Sequence, residues 1–251
     1  MISLKKTIEK NEVLACLFSG GCDSTLVAAL GARNFKRICL LIYTRFGFFN
    51  AKNPLQMAEL LRRRFGKDTF ITEIIKFGPF FKYIQYHNYL YYLRKYGTLS
   101  MSICGLCKLA MHWQTIVYCL KNSICHVHDG SVKDMKVFPA QNEKIALDNI
   151  KKLYAYFSIK LETPIFDTNK QAEEELYKLK IIPLKKYKGT DLDNKQVSCS
   201  QQILFTNFVD SYLSKHPWEE YVTNSARFLD EKIEDVKQAI IKNIQHDNSL
   251  Q

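Results

Sequence analysis

Apolar and polar residues alternate in blocks along the first third of the chain. Continuous apolar runs at 13–18, 36–43 and 69–75 are typical of strands that are buried on both faces. The segments between them, 26–32 and 55–65, have apolar residues at helical spacing. This alternation predicts an α/β protein with a Rossmann-like open parallel sheet and helices on both of its faces.

The pattern weakens in the rest of the chain but keeps the same two element types. One more strand is expected over 123–128. The sequence becomes polar after Pro183, which predicts a boundary between an α/β domain over 1–183 and a C-terminal loop and helical extension over 184–251. Further helices are expected over 106–122, 140–157, 168–180, 202–215 and 225–245.

Composition favours a soluble protein with a substantial core. Of 251 residues, 47% are hydrophobic, yet we expect no apolar run long enough to cross a bilayer. The first ten residues have no hydrophobic region of the signal-peptide type. We therefore expect a cytoplasmic protein without membrane contact. Its eight cysteines are expected to act as thiols, metal ligands or redox groups rather than disulfides.

The net charge of +11 is compatible with a nucleic-acid partner such as tRNA, because phosphate contacts supply most non-specific affinity. An ordinary lysine-rich surface is the alternative. The aromatic segment 77–96 offers either a base-stacking surface or rings that pack a helix onto the sheet, and packing is favoured. The candidate RNA contacts are Arg62, Arg63 and Arg64, then Lys82, Arg94 and Lys95, and finally Lys185, Lys186 and Lys188 with Tyr187 between them.

The most informative stretch follows the first predicted strand: Ser19-Gly20-Gly21-Cys22-Asp23-Ser24-Thr25. A glycine-rich turn between a strand and a helix is suited to phosphate, because its backbone can approach the anion closely. The N–H groups and the positive end of the helix dipole then point at that anion. The Walker spacing and its lysine are absent.

This stretch resembles the Ser-Gly-Gly-x-Asp-Ser loop of the PP-loop ATP pyrophosphatases, also called adenine nucleotide alpha hydrolases of the HUP type. The resemblance implies an adenylating enzyme that converts ATP to AMP and pyrophosphate and that uses Mg²⁺. It implies catalytic roles for Asp23 and Ser24, with Tyr43 at a neighbouring strand end beside the adenosine. The loop residues expected to contact the nucleotide are Ser19, Gly20, Gly21, Cys22, Asp23, Ser24 and Thr25.

Two later stretches resemble further elements of that family. Asp129 and Gly130 follow a strand at the place where the family has acidic residues beside the nucleotide, and Asp129 is a candidate for magnesium or the attacking group. The Thr163-Pro164 pair followed by Lys170 resembles a strand end and helical lysine, which makes Lys170 a candidate catalytic residue.

A Cys-x-x-Cys pair, Cys104 and Cys107, has the spacing for a shared metal ion or a redox disulfide. Cys199, in a polar stretch, is the candidate third ligand. Three cysteines suit a [4Fe-4S] cluster with one open iron better than they suit zinc, and unremarkable thiols are the alternative. Cys16, Cys39, Cys119 and Cys125 fall on apolar elements and are expected to fill the core.

This cysteine layout resembles the tRNA 2-thiocytidine synthetases and the LarE-type sulfur transferases. The resemblance implies sulfur transfer to tRNA or to a small molecule, with a sulfur-donor protein as a partner. The loop and the Thr-Pro element also resemble the 7-cyano-7-deazaguanine synthases, whose four-cysteine site near the C-terminus is absent here. Amide or nitrile formation, and a non-catalytic ATP-binding module, are therefore the alternative functions.

Overall fold

A computed structural model of the chain describes residues 12–49, 53–101, 103–133, 144–167, 172–183 and 198–248. Five of its strands form one sheet in the order β4-β2-β1-β5-β6, and every pairing in that sheet is parallel. These strands are β1 (Val13–Leu17), β2 (Arg37–Thr44), β4 (Phe70–Lys76), β5 (His126–His128) and β6 (Lys160–Glu162). The predicted α/β fold with an open parallel sheet is confirmed.

Two further strands of two residues each form a separate antiparallel pair. In this pair Phe48 of β3 (Phe48–Phe49) lies opposite Cys199 of β7 (Ser198–Cys199). The pair joins the chain just after β2 to a segment about 150 residues later. It therefore places residues 198–199 beside the turn that follows the carboxyl end of β2.

Successive residues of the central strands face opposite sides of the sheet, as strand geometry requires. On β1, Leu14 and Cys16 pack on one face and Ala15 and Leu17 on the other. Both sets are buried, because helices cover both faces. This explains why the strands are continuous apolar runs in the sequence.

One face is covered by α1 (Cys22–Gly31), α2 (Asn53–Phe65) and α7 (Ala172–Lys178). The other is covered mainly by α3 (Gly78–Tyr86), α5 (Ile103–Asn122), α6 (Lys144–Tyr156) and α9 (Trp218–Asn248). The remaining helices are α4 (Tyr89–Tyr96) and α8 (Gln201–Leu213), and Gly97–Met101 forms a 3₁₀ turn.

The long final helix α9 packs on the same core as the sheet. Its residues Phe228, Leu229 and Val236 are buried with side chains of α5 and α6. The helix was expected to begin at residue 225, and it begins seven residues earlier at Trp218. The division of the chain at 183/184 stays a prediction.

Helix α5 is long and apolar enough to cross a membrane by length and composition alone, with a mean hydropathy of 1.2 over its most apolar window. The sequence led us to expect no apolar run of that length, and α5 departs from this expectation. More than half of that window, 56%, is buried inside the protein, and Leu109, Ile116 and Cys119 are fully enclosed. Such burial is typical of a core helix.

Most element boundaries differ from the prediction by only a few residues. The largest consequence is at α1, which begins at Cys22 and not at residue 26, so Asp23, Ser24 and Thr25 form its first turn. The aromatic segment 77–96 forms α3 and α4, with Phe77, Phe81 and Tyr92 buried. Packing, the favoured alternative for these three rings, is confirmed.

Candidate functional site

The strand order places a topological switch point at β1. The chain moves from β1 outward to β2 and β4, and then returns to the other side of β1 for β5 and β6. In open parallel sheets a ligand binds at such a point, beyond the carboxyl ends of the strands. The loop after β1 and the residues after β5 meet there, so this crevice is the candidate nucleotide site.

The loop after β1 is held by its own hydroxyl groups. Gly20 has φ +76°, which glycine adopts without strain. Thr25 Oγ1 and Ser24 Oγ donate to the carbonyl of Gly21 at 2.8 and 3.1 Å, and Ser19 Oγ lies 3.1 Å from Ser24 Oγ. Gly21 precedes α1 without a side chain to cap it, so the start of this helix suits an anion.

Gly130 allows the chain after β5 to approach this loop. A Cβ atom at Gly130 would lie 2.9 Å from the backbone nitrogen of Ser24 and 3.0 Å from its Cα. No real Cβ contact is that short, so only glycine fits against the first turn of α1. The two stretches that the sequence assigns to the nucleotide are thus in direct contact.

Asp129, beside Gly130, is buried in a polar network. Lys108 Nζ donates to one carboxylate oxygen at 2.8 Å and Ser131 Oγ donates to the other at 2.6 Å. His112 Nε2 lies 4.0 Å from the second oxygen, and it has no hydrogen-bond partner among the described residues. Lys108 and His112 lie one turn apart on α5, so this helix supplies the groups that hold Asp129.

Asp129 is ionised in this network. Burial acts to raise its pKa, but the charge of Lys108, the neighbouring His112 and the hydrogen bonds from Lys108 and Ser131 hold the pKa below its usual value. Burial and the charge of Lys108 lower the pKa of His112 to about 3, so this histidine is neutral. The site therefore contains one buried ion pair next to the nucleotide loop.

The three candidate sulfur ligands lie close together. Cys104 and Cys107 are in the first turns of α5, and Cys199 arrives on β7. Each of the three thiols interacts electrostatically with the other two. Burial, and next the neighbouring Cys107, raise the pKa of Cys104 to about 12, and burial also raises the pKa of Cys107.

Arg45 lies among these thiols. Its Nη2 donates to Cys199 Sγ at 3.2 Å and to Gln201 Oε1 at 2.8 Å, and its charge acts to lower the pKa of Cys107 against the effect of burial. The rings of Phe48 and Phe81 flank it, with centroids 4.8 and 4.5 Å from Cζ. A cation held this way favours anionic sulfur beside it.

The donor set fits an iron–sulfur cluster in its chemistry. Three thiols converge and Arg45 can offset the negative charge of thiolates. In the part of the chain that the structure describes, however, no three His, Cys, Asp or Glu side chains form a group ready to hold a metal ion. The guanidinium donates to Cys199 and interacts electrostatically with Cys107, so Arg45 lies among the thiols.

The other predicted site residues fall in different places. The Tyr43 side chain is buried, and its hydroxyl lies 2.6 Å from Thr115 Oγ1 inside the core, so its backbone alone is at the strand end. Thr163 and Pro164 line a cavity of about 690 Å³ beside β6 to which no residue of the 19–25 loop contributes. Lys170 lies outside the described residues.

The basic residues proposed to contact RNA fall into three groups: those bonded within the protein, those exposed and those outside the described residues. Arg62 and Arg64 donate to the backbone carbonyls of Phe70 and Leu179 and so hold α2 in place. Among the others, Arg63 and Lys95 pair with Glu59 and Glu231, whereas Lys82 and Arg94 are exposed side chains on α3 and α4. Lys185, Lys186, Tyr187 and Lys188 lie outside the described residues.

Sequence reasoning missed Arg45 and Lys108. Lys108 follows Cys107 directly in the chain, and this position could have been noticed in the sequence. A lysine there can point to a neighbouring group such as Asp129 while the cysteines face elsewhere. Arg45 gave no local signal, because its contacts depend on a strand pair between residues about 150 positions apart.

The fold is that of an α/β protein with an open parallel sheet, and the crevice at its switch point is the candidate ligand site. No protein-family model matches the sequence, and no curated protein matches it either. Among solved structures, the chain is similar to the U34-tRNA thiolase NcsA from Methanococcus maripaludis with its [4Fe-4S] cluster. The identity is 14%, the match covers 91% of this chain and 72% of that chain, and the TM-score is 0.42.

Proposed function

We propose that this protein is a PP-loop enzyme that adenylates a carbonyl oxygen of its substrate with ATP and then replaces that oxygen with sulfur. One observation supports the proposal: a short series of contacts runs from the cysteine pair on α5 to the loop after β1. Lys108 follows Cys107 in the chain and hydrogen-bonds Asp129, and Gly130 lies against the loop. A phosphate site and a thiol site connected through Lys108, Asp129 and Gly130 would suit coupled adenylation and sulfur transfer.

The loop 19–25 binds the phosphates of ATP in this proposal. The amides at the start of α1 and the hydroxyl groups of Ser19 and Ser24 stabilise negative charge on the pyrophosphate. The substrate oxygen attacks the α-phosphorus, the bond to the β-phosphate oxygen breaks, and pyrophosphate leaves with its electron pair. Asp23, in the first turn of α1, is the candidate ligand of Mg²⁺.

Lys108 and Asp129 position the α-phosphate side of the site. Because Asp129 is ionised and fully enclosed, it holds the Lys108 ammonium beside the loop. A cation there stabilises the charge that develops during adenylation. Asp129 is thus proposed to act through Lys108.

Cys104, Cys107 and Cys199 are the residues that would hold a [4Fe-4S] cluster. When bound, such a cluster supplies an iron site to which a sulfide can bind. The chain's own contribution is to bring three thiols together and to place the Arg45 guanidinium beside them. A sulfur nucleophile then displaces AMP from the activated carbon, and the original oxygen leaves with the phosphate.

We propose tRNA as the substrate, and the excess of basic residues supports it. The net charge is +11, and the exposed Lys82 and Arg94 lie on helices that follow the carboxyl end of β4. This is the edge of the sheet at which the nucleotide loop lies. Phosphate contacts from such residues would hold an RNA strand over the site.

The test is pyrophosphate release from ATP in the presence of bulk tRNA from a strain that lacks the gene. We expect AMP and pyrophosphate in equal amounts, a loss of both in Asp23→Ala, and a thiolated base by mass analysis when sulfide is added. ADP with orthophosphate, or full activity in Asp23→Ala, would contradict adenylation. Nitrogen in place of sulfur in the product would favour amide or nitrile formation.

A further inference from the structure

The turn that follows β2, residues 45–49, makes four separate kinds of contact with the segment that carries Cys199. Phe48 and Phe49 pair with Cys199 and Ser198 as an antiparallel ladder. The Ser200 amide donates to the carbonyl of Gly47 at 3.0 Å. These backbone bonds fix the direction in which residues 198–200 approach the sheet.

Gly47 makes this close approach possible. Its φ is +88°, a conformation that other residues rarely adopt, and a Cβ atom there would lie 2.9 Å from Ser200 Oγ. The turn is therefore shaped to receive the segment, both in its backbone conformation and in the space it leaves.

Arg45 supplies the side-chain part of the contact. It donates to Cys199 and Gln201, one residue on each side of Ser200, and stacks between Phe48 and Phe81. Its Nε is buried and has no hydrogen-bond partner among the described residues. A buried N–H group without a partner costs stability, so its presence in a native structure needs an explanation.

The same guanidinium also interacts electrostatically with the Cys107 side chain. Arg45 thus connects the thiol of β7 to the thiols of α5, which are about 90 residues apart in the sequence. Besides Arg45, the backbone of Cys199 is held by the β3–β7 pair and the Ser200–Gly47 bond, and a two-residue pair is weak by itself.

We propose that Arg45 and the 45–49 turn form a dock that brings Cys199 to Cys104 and Cys107, with Arg45 as the positioning residue of the three-thiol centre. This inference rests on the proposed function, since it assigns to these cysteines a shared ligand. It concerns how the chain assembles that centre.

The test uses Cd²⁺ as a thiol-binding probe, with reduced full-length protein under anaerobic conditions. Binding is followed by the thiolate-to-metal absorbance, and soft metal ions gain affinity with each added thiolate. We expect Arg45→Ala to lower the affinity at least tenfold, to the level of Cys199→Ser. In the double variant Arg45→Ala/Cys199→Ser no further loss is expected, because Arg45 acts through Cys199.

Two matched variants make the result specific. Gly47→Ala keeps the guanidinium but strains the turn, because residue 47 has a positive φ, so it should weaken Cd²⁺ binding as Arg45→Ala does. Arg62→Ala removes an arginine that also bonds a backbone carbonyl, but away from the thiols, and should leave Cd²⁺ affinity unchanged. Far-UV circular dichroism checks that each variant is folded. If Arg45→Ala does not fold, the Cd²⁺ affinity of Gly47→Ala tests the dock.

Unchanged or increased Cd²⁺ affinity in both Arg45→Ala and Gly47→Ala overturns the dock. So does an additional loss in the double variant beyond that of Cys199→Ser. Pyrophosphate release measured on the same preparations separates the two ideas. If the wild type forms AMP but the variants bind Cd²⁺ as the wild type does, the dock alone is rejected. If the wild type never forms AMP, the proposed adenylation is rejected.

Discussion

Lys108 and Asp129 form the ion pair that joins the two halves of the site, with Nζ and Oδ1 2.8 Å apart. The Asp129 side chain is 4% exposed and that of Lys108 is 18% exposed, so the pair is largely shielded from water. Removing one partner of such a pair leaves a charge with little solvation, which is costly.

We expect Lys108→Met to lower the free energy of unfolding by about 3 kcal/mol at pH 7, because Asp129 would be buried without its cation. Asp129→Asn in the same chain should restore part of that loss. Urea unfolding of the two single variants and the double variant measures the coupling. Lys178→Met, which removes an exposed ion pair with Glu175, is the control and should cost less than about 1 kcal/mol.

The Lys108–Asp129 pair also predicts an acid dependence. Since the pKa of Asp129 is lower in the folded protein than in the unfolded chain, its contribution to stability is present at neutral pH. The contribution is lost as the pH falls through the folded-state pKa. The difference in stability between wild type and Lys108→Met/Asp129→Asn should therefore shrink below about pH 4, and an undiminished difference would argue against an ionised Asp129.

Gly130→Ala tests the contact between the two nucleotide stretches. The new methyl group would meet the Ser24 backbone, which cannot move without displacing the start of α1. We expect ATP affinity to fall more than tenfold and stability to fall by about 1–3 kcal/mol. Isothermal titration calorimetry measures the first and thermal unfolding the second. Gly78→Ala is the matched control, because a Cβ there would meet its nearest neighbour at an ordinary 3.8 Å.

Lys232 predicts an alkaline dependence of stability. Its ammonium is 1% exposed, donates to the carbonyls of Ile84 and His87 at 2.8 Å, and faces the Tyr92 ring and Asp235. Burial lowers its pKa to about 8, so between this value and the ordinary lysine pKa the unfolded chain binds more protons. Stability contributed by this group therefore rises with pH in that range.

The comparison with Lys232→Met isolates that rise from other titrating groups. We expect the stability advantage of the wild type over this variant to grow between pH 8 and pH 10 in denaturant titrations. Lys242→Met removes an exposed lysine of the same helix and is the control for the loss of one positive charge. A constant advantage for Lys232 would mean that its pKa is not lowered.

The exposed cations Lys82 and Arg94 predict a change in salt dependence. If both contact RNA phosphates, the double variant Lys82→Ala/Arg94→Ala should reduce the slope of log affinity against log salt by roughly 0.7 to 0.9 per lost contact. Fluorescence anisotropy with labelled tRNA measures the slope. Arg33→Ala, just after the C-terminal end of α1 and thus at the opposite edge of the sheet, is the control and should leave the slope unchanged.

The sequence predicted the nucleotide half of the fold well, because its signals are local. The apolar runs of β1 and β2 and the Ser19–Thr25 loop each lie within a dozen residues, and the structure keeps their order. The grouping of Cys104, Cys107 and Cys199 as metal ligands stays a prediction.

What the sequence could not predict depends on contacts between distant segments. The position of Arg45 needs the β3–β7 pair, and the burial of Lys232 needs α9 to lie against α3 and α4. Neither residue differs in its local sequence from an ordinary surface cation. Charged groups of this kind are identified only when the fold shows what surrounds them.

The β3–β7 pair has a consequence for the order in which the site is built during synthesis. The loop after β1 and the side chains that hold Asp129 have all been synthesised once the chain has reached Ser131. The thiol centre needs Cys199 as well, nearly 70 residues later. Under the proposed function, a nascent chain therefore acquires its phosphate-binding loop before it can bring its three thiols together.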